Sequence, residues 1–82
     1  MFSDLEKHIL IKLFRHGYIG RRHTAREELK QGLPSNLRDM KIINNVCDNL
    51  IEKGYLIPQH GKRVSINPEK NKEIESLMME RF

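Results

Sequence analysis

Apolar residues recur at helical spacing in three stretches of the chain and alternate in one. Within 4–16, Leu5, Ile9 and Leu13 stand at i, i+4 and i+8, with Leu10 and Phe14 beside them. That spacing predicts an amphipathic helix. Its apolar arc covers roughly half the circumference, wider than the ~100° stripe of a simple surface helix. Such a helix is either central to the core or shared with a second copy. Ser3 or Asp4 can cap its first turn, because a short side-chain oxygen satisfies the orphan N–H groups there. Gly17 stops it, and Tyr18-Ile19-Gly20 reads as one brief strand.

Thr24-Ala25-Arg26-Glu27 has the form of a capping box, which predicts a second helix reaching about Gln31. Gly32 ends it where a left-handed residue is wanted, and Leu33 supplies the hydrophobic closure. Barely two turns long, this helix depends on packing Leu29 against its neighbours. Pro34-Ser35-Asn36 reads as a turn. A third helix runs to 53, starting either at Asn36 with Ser35 as cap or after Asp39. Met40, Ile43, Val46, Cys47 and Leu50 share one face, and Lys41, Asn44, Asn45, Asp48 and Glu52 the other. Gly54 terminates it. Tyr55-Leu56-Ile57 is β-prone, 58–62 reads as a hairpin tip containing Gly61, and Arg63-Val64-Ser65-Ile66 alternates like a half-buried returning strand. Pro58 has no N–H for a ladder, so the first strand is an edge strand or ends there. Asn67-Pro68 is a strong helix start. The last helix, about 68–81, carries Ile74, Leu77 and Met78 at i, i+3, i+4.

The pattern predicts one domain spanning 1–82, mostly α with a small β-hairpin. Eighty-two residues make a thin core, since a domain of this size buries only about 60–65% of its unfolded surface. Fifteen Lys and Arg against eleven Asp and Glu give a net charge of +4, with a pI near 9.5. That balance suits a polyanionic partner. Residues 1–35 carry seven basic and four acidic groups, 36–68 five and three, and 69–82 three and four. The tail is therefore the poorest contact for a nucleic acid. It suits packing on the domain or on another subunit. No apolar run approaches the ~20 residues needed to span a bilayer, and the first residues lack the basic and apolar stretches of a signal peptide. With Cys47 the single cysteine, no intrachain disulfide forms. The expectation is a reducing, cytoplasmic location.

The order helix, short strand, helix, turn, helix, hairpin, helix resembles the winged helix-turn-helix family of DNA-binding domains. Residues 24–67 carry the resemblance, with the helix-turn-helix at about 24–53 and the wing at about 55–66. Its most specific piece is Leu50-Ile51-Glu52-Lys53-Gly54-Tyr55-Leu56-Ile57. This is similar to the family's Leu-x-x-x-Gly end of the recognition helix, followed by an aromatic or aliphatic pair entering the wing. Thr24 through Leu29 resembles the usual opening of the second helix. The 32–40 stretch departs from the family in being longer than its tight turn.

The resemblance implies sequence-specific binding of double-stranded DNA by a small transcriptional regulator, with the third helix in the major groove. It nominates Arg38, Lys41, Asn44 and Asn45 for base edges, because Asn pairs bidentately with adenine and Arg with guanine. The plainer reading of these residues is a solvated helix face. Asp48 and Glu52 count against deep insertion, since carboxylates repel phosphates. His60, Lys62 and Arg63 at the hairpin tip suit phosphates or the minor groove, or simply keep an edge soluble. Arg21, Arg22 and Arg26 flank the start of the second helix, where the dipole also favours phosphate. The broad first helix and Met78-Met79 suggest a homodimer, whose recognition helices would lie ~34 Å apart. Their alternative is intramolecular core.

Nothing in the sequence suggests catalysis. There is no Gly-rich phosphate loop, no helical His pair at metal spacing and no nucleophile elbow. His8, His16, His23 and His60 are scattered, whereas a zinc site needs four convergent ligands. Cys47 sits on an apolar helix face and reads as core. Tyr18 and Tyr55 are too few for a single-strand stacking platform. No cofactor is expected. Winged helices also serve as protein–protein modules in larger assemblies, and fold alone does not choose between the two roles.

Overall fold

The computed structural model describes residues 2–80. In chain order the elements are α1 (Asp4–Arg15), β1 (Thr24–Ala25), α2 (Met40–Glu52), β2 (Leu56–Gln59), β3 (Arg63–Ile66) and α3 (Asn71–Glu80). Short 3-10 helices occupy Arg26–Lys30, Ser35–Leu37 and Pro68–Lys70. The fold is thus mostly helical with a small antiparallel sheet, ordered β1-β3-β2. Position 81, where the sequence pattern ends the last helix, lies outside the described residues. No helix among the described residues is long and apolar enough to cross a membrane.

Ser3 caps α1. Its Oγ accepts from the Glu6 N–H (3.1 Å), and Glu6 Oε1 accepts from the Ser3 N–H (2.8 Å). The second carboxylate oxygen of Glu6 pairs with Lys53 Nζ at 3.2 Å, tying the start of α1 to the end of α2. Burial alone would raise the pKa of Glu6. The Ser3 N–H and the Lys53 ammonium outweigh it and hold the carboxyl below its ordinary value. A depressed folded-state pKa contributes stability that is complete above the unfolded pKa and is lost as pH falls through the folded one. Glu6→Gln keeps an acceptor for Ser3 and removes the charge. It is expected to cost about 0.5–1 kcal/mol at pH 7. Urea titrations should show that deficit shrinking toward zero as the pH falls below ~4.3, the ordinary glutamate pKa.

The segment after α1 differs most from its sequence reading. Tyr18-Ile19-Gly20 forms only a single parallel bridge, Ile19 to Ile66. The regular strand comes later, at Thr24–Ala25, which pairs with Val64 and Arg63. Thr24 is therefore a buried strand residue and caps nothing. The Arg26 N–H donates to the Lys62 carbonyl (3.1 Å), so the hairpin takes a donor that a helix starting here would have to cap. The chain then forms a 3-10 helix of five residues with no side-chain cap. Lys12 reaches across from α1 and donates to the Glu28 and Gln31 carbonyls at 2.9 and 2.6 Å, closing that helix's open end. Burial lowers the Lys12 pKa, against the opposing pull of Glu28. Gly32 then adopts φ +86° and turns Leu33 into the core, as expected.

Of the two starts open for the third helix, the chain takes the later one. Asp39 caps α2 by accepting from the Lys41 N–H at 2.9 Å, and Ser35–Leu37 is a separate 3-10 turn. Gly54 ends α2 at φ +86°, a conformation costly for any residue with a Cβ. The turn lets the Tyr55 N–H return to the Leu50 carbonyl (2.9 Å). Pro58 lies within β2, at the sheet edge. On β3 the expected alternation fails, for Val64, Ser65 and Ile66 are all buried. The loop at Gly20 covers the outer face, and the Ser65 Oγ donates to the Gly20 carbonyl at 2.8 Å. Asn67 caps the last helical segment through the Glu69 N–H (3.1 Å).

The core gathers Ile9, Leu10 and Leu13 of α1, Ile43, Cys47 and Leu50 of α2, Val64 and Ile66 of β3, and Ile74 of α3. Leu29, Leu33 and Leu56 close its sides. Cys47 is fully buried, and burial pushes its thiol up to about 11. It is core, as its helix face implied. A thiol so rarely ionised near neutral pH is a poor nucleophile.

Candidate nucleic-acid interface

The inner face of α2 is held by the core, so its outer face is free. Lys41 and Asn45 lie exposed on that face, four residues apart and hence one turn apart. The β2–β3 tip, His60, Gly61 and Lys62, stands next to the N-terminal half of the same helix. Gly61 and Lys62 share with Met40, Asn44, Ala25, Arg26 and Glu27 an open cleft of about 310 Å³. Two consecutive left-handed residues make the tip, Gly61 at φ +73° and Lys62 at φ +59°. For lysine that conformation costs about 1–2 kcal/mol. It sets the Lys62 carbonyl on the Arg26 N–H and leaves the Lys62 side chain in solvent.

Arg26 departs from its expected role at a phosphate. Its side chain is only 14% exposed and pairs with Asp48 Oδ1 at 3.0 Å. The same Nη1 faces the Asn44 Oδ1 and backbone carbonyl at 3.3 and 3.4 Å. Arg26 is a tertiary brace between the 3-10 helix and α2. This corrects two other expectations. Asn44 is half-buried with its carbonyl oxygen turned toward Arg26, which spoils it for bidentate pairing with a base. Asp48 carries a compensated charge, so its repulsion of phosphates is weaker than the sequence suggests.

Arg38 lies before α2 rather than in it. Its Nε donates to the Leu33 carbonyl at 2.8 Å, bracing the long turn. Arg21 and Arg22 are exposed on the loop preceding β1. Arg63 is exposed but lines a different cleft, of about 360 Å³, with Lys12, His16 and Tyr18 beside α1. The two tip cations thus divide, Lys62 toward α2 and Arg63 toward α1.

The candidate set is Lys41 and Asn45, exposed on α2, and Lys62, which meets that helix at Met40 and Asn44, with His60 exposed at the tip. One member was missed by the sequence reading. Ile42 is 36% exposed beside Lys41 on α2, although its apolar character suggested no polar-face role. Among the described residues, no group of three or more His, Cys, Asp or Glu is placed to hold a metal ion. No family model, curated protein or solved structure matches the chain.

Proposed function

We propose that this chain is a winged helix-turn-helix domain that binds double-stranded DNA as a small transcriptional regulator, with α2 in the major groove and the β2–β3 hairpin as the wing. The observation that carries the reading is the placement of the cationic hairpin tip against the open N-terminal half of α2. A duplex lying along α2 would meet Asn45 in the groove and Lys41 and Lys62 at the backbone. Two features of the fold support it. The elements follow the order the family implies, with the 3-10 helix at Arg26–Lys30 in place of the second helix. The hairpin follows α2 directly through the Gly54 turn, closed by the Tyr55 N–H on the Leu50 carbonyl, so helix and wing are joined by a single turn.

Fluorescence anisotropy with a labelled random duplex, titrated across salt, tests the proposal. Five neutralised phosphates predict a log–log slope of about −4 to −5 and micromolar non-specific binding at low salt. No binding at low salt would overturn it. A second reading has its own observation. Phe14, Glu75, Met78 and Met79 line a mostly apolar cleft of about 670 Å³ where α1 meets α3, and Met79 is 74% exposed. That surface suits a protein contact, either the expected homodimer or a module in a larger assembly. Sedimentation equilibrium of the same protein separates these outcomes: dimer formation supports self-association, and monomer at high concentration removes it.

A further inference from the structure

On the outer face of α2, an apolar side chain stands where solvation alone would place a polar one. Ile42 is flanked by exposed Lys41 and, three residues on, by exposed Asn45. Residues three apart on a helix are neighbours, about 5–6 Å between Cβ atoms. Ile42 and Asn45 therefore present one apolar and one amide group side by side. That spacing is within reach of a single base pair or of two adjacent ones, since pairs stack ~3.4 Å apart.

The same face lacks arginine. Lys41 is the one cation in α2. Arg26 is engaged by Asp48 and Asn44, and Arg38 lies outside the helix with its Nε on the Leu33 carbonyl. Guanine is read mainly by an Arg or Lys donor pair at O6 and N7. Adenine is read by the amide of Asn or Gln, and thymine by apolar contact with its C5-methyl. An Asn and an Ile with no arginine between them match the adenine–thymine pattern.

Resting on the DNA-binding reading, we propose that α2 selects A·T pairs in the major groove, with Ile42 packed on the thymine methyl and Asn45 paired to the adenine N6 and N7. Lys41 and Lys62 then supply phosphate contacts, which position the helix and carry no sequence information.

The test compares the intact protein, Ile42→Ala and Asn45→Ala on three duplexes of equal length. One alternates A and T, the second is the same with deoxyuridine for thymidine, and the third alternates G and C. Uracil differs from thymine only by the missing methyl. The unaltered protein is expected to bind the A·T duplex about tenfold tighter than the G·C duplex. It should lose about fourfold for each contacted methyl when uracil replaces thymine. Ile42→Ala should bind thymine and uracil duplexes equally. Asn45→Ala should keep only the part of the A·T preference that the thymine methyl supplies, about fourfold per contacted methyl. Asn45→Ala should keep the parent's thermal stability, Ile42→Ala should lose only a few degrees because its side chain is 36% exposed, and both should keep the salt slope. Steep salt-dependent binding with no discrimination between thymine and uracil would overturn the inference and leave the DNA-binding reading intact. So would an equal uracil penalty in the parent and Ile42→Ala. Failure to bind any of the three duplexes would overturn both.

Discussion

Replacing Lys41 and Lys62 together by alanine is expected to weaken binding to a random duplex about 60-fold at 0.1 M salt. The same change should lower the magnitude of the log–log salt slope by about 1.8. Each lost phosphate contact removes about 0.9 from the slope, and hence about 0.9 log units of affinity at 0.1 M relative to 1 M. Both side chains are exposed, and neither belongs to an ion pair among the described residues. Stability should therefore change by less than about 0.5 kcal/mol. Arg26→Met makes the opposite forecast. It deletes the guanidinium that braces Asp48 and Asn44, so it should cost about 1–2 kcal/mol of stability. Under conditions where the variant is folded, its salt slope should equal the parent's. A slope that falls for Arg26→Met and not for the lysine pair would place the phosphate path elsewhere, and the orientation proposed for α2 would be wrong.

Arg26 also shows where sequence reading stops. Its partners stand 18 and 22 positions away on another helix, and no local pattern reveals a guanidinium that is spent on its own fold. The same holds for Asn44, whose amide oxygen faces Arg26. It lies on the polar side of the wheel, yet the 3-10 helix leans over it. Thr24 shows a second limit. Thr24-Ala25-Arg26-Glu27 satisfies the capping-box pattern, but β3 arrives from 40 residues later and offers a ladder instead. A local cap competes with a long-range pairing, and the pairing also buries the threonine. Ser65 belongs here too, since only the loop at Gly20 makes its side of the strand an interior. What was legible rests on residues whose meaning is local. Gly32 and Gly54 need only their own φ, Asn67-Pro68 only its own turn, and Pro58 only its missing N–H. The apolar stripes of α1 and α2 were legible because helical periodicity needs no partner. Lys41, Asn45 and Lys62 came from that periodicity and from the hairpin tip.

The largest stability effect is expected from Leu50→Ala, at about 3–4 kcal/mol. Leu50 is fully buried in the cluster that joins α1, α2 and the sheet. Its carbonyl also receives the Tyr55 N–H that closes the Gly54 turn, so the side chain anchors the point where α2 becomes the hairpin. Truncation removes the transfer energy of the lost methyl groups and leaves a cavity in a thin core. A domain of this length holds roughly 4–12 kcal/mol in total. The melting temperature should therefore fall by roughly 12–30 °C, with the urea m-value unchanged because the same surface is exposed on unfolding. Ile42→Ala, on the same helix eight residues earlier, should cost only about 1 kcal/mol. The contrast comes from burial alone, since Leu50 is fully enclosed and Ile42 is 36% exposed. Comparable losses at both positions would mean that Ile42 is packed, and the outer face of α2 would then not be free to enter a groove.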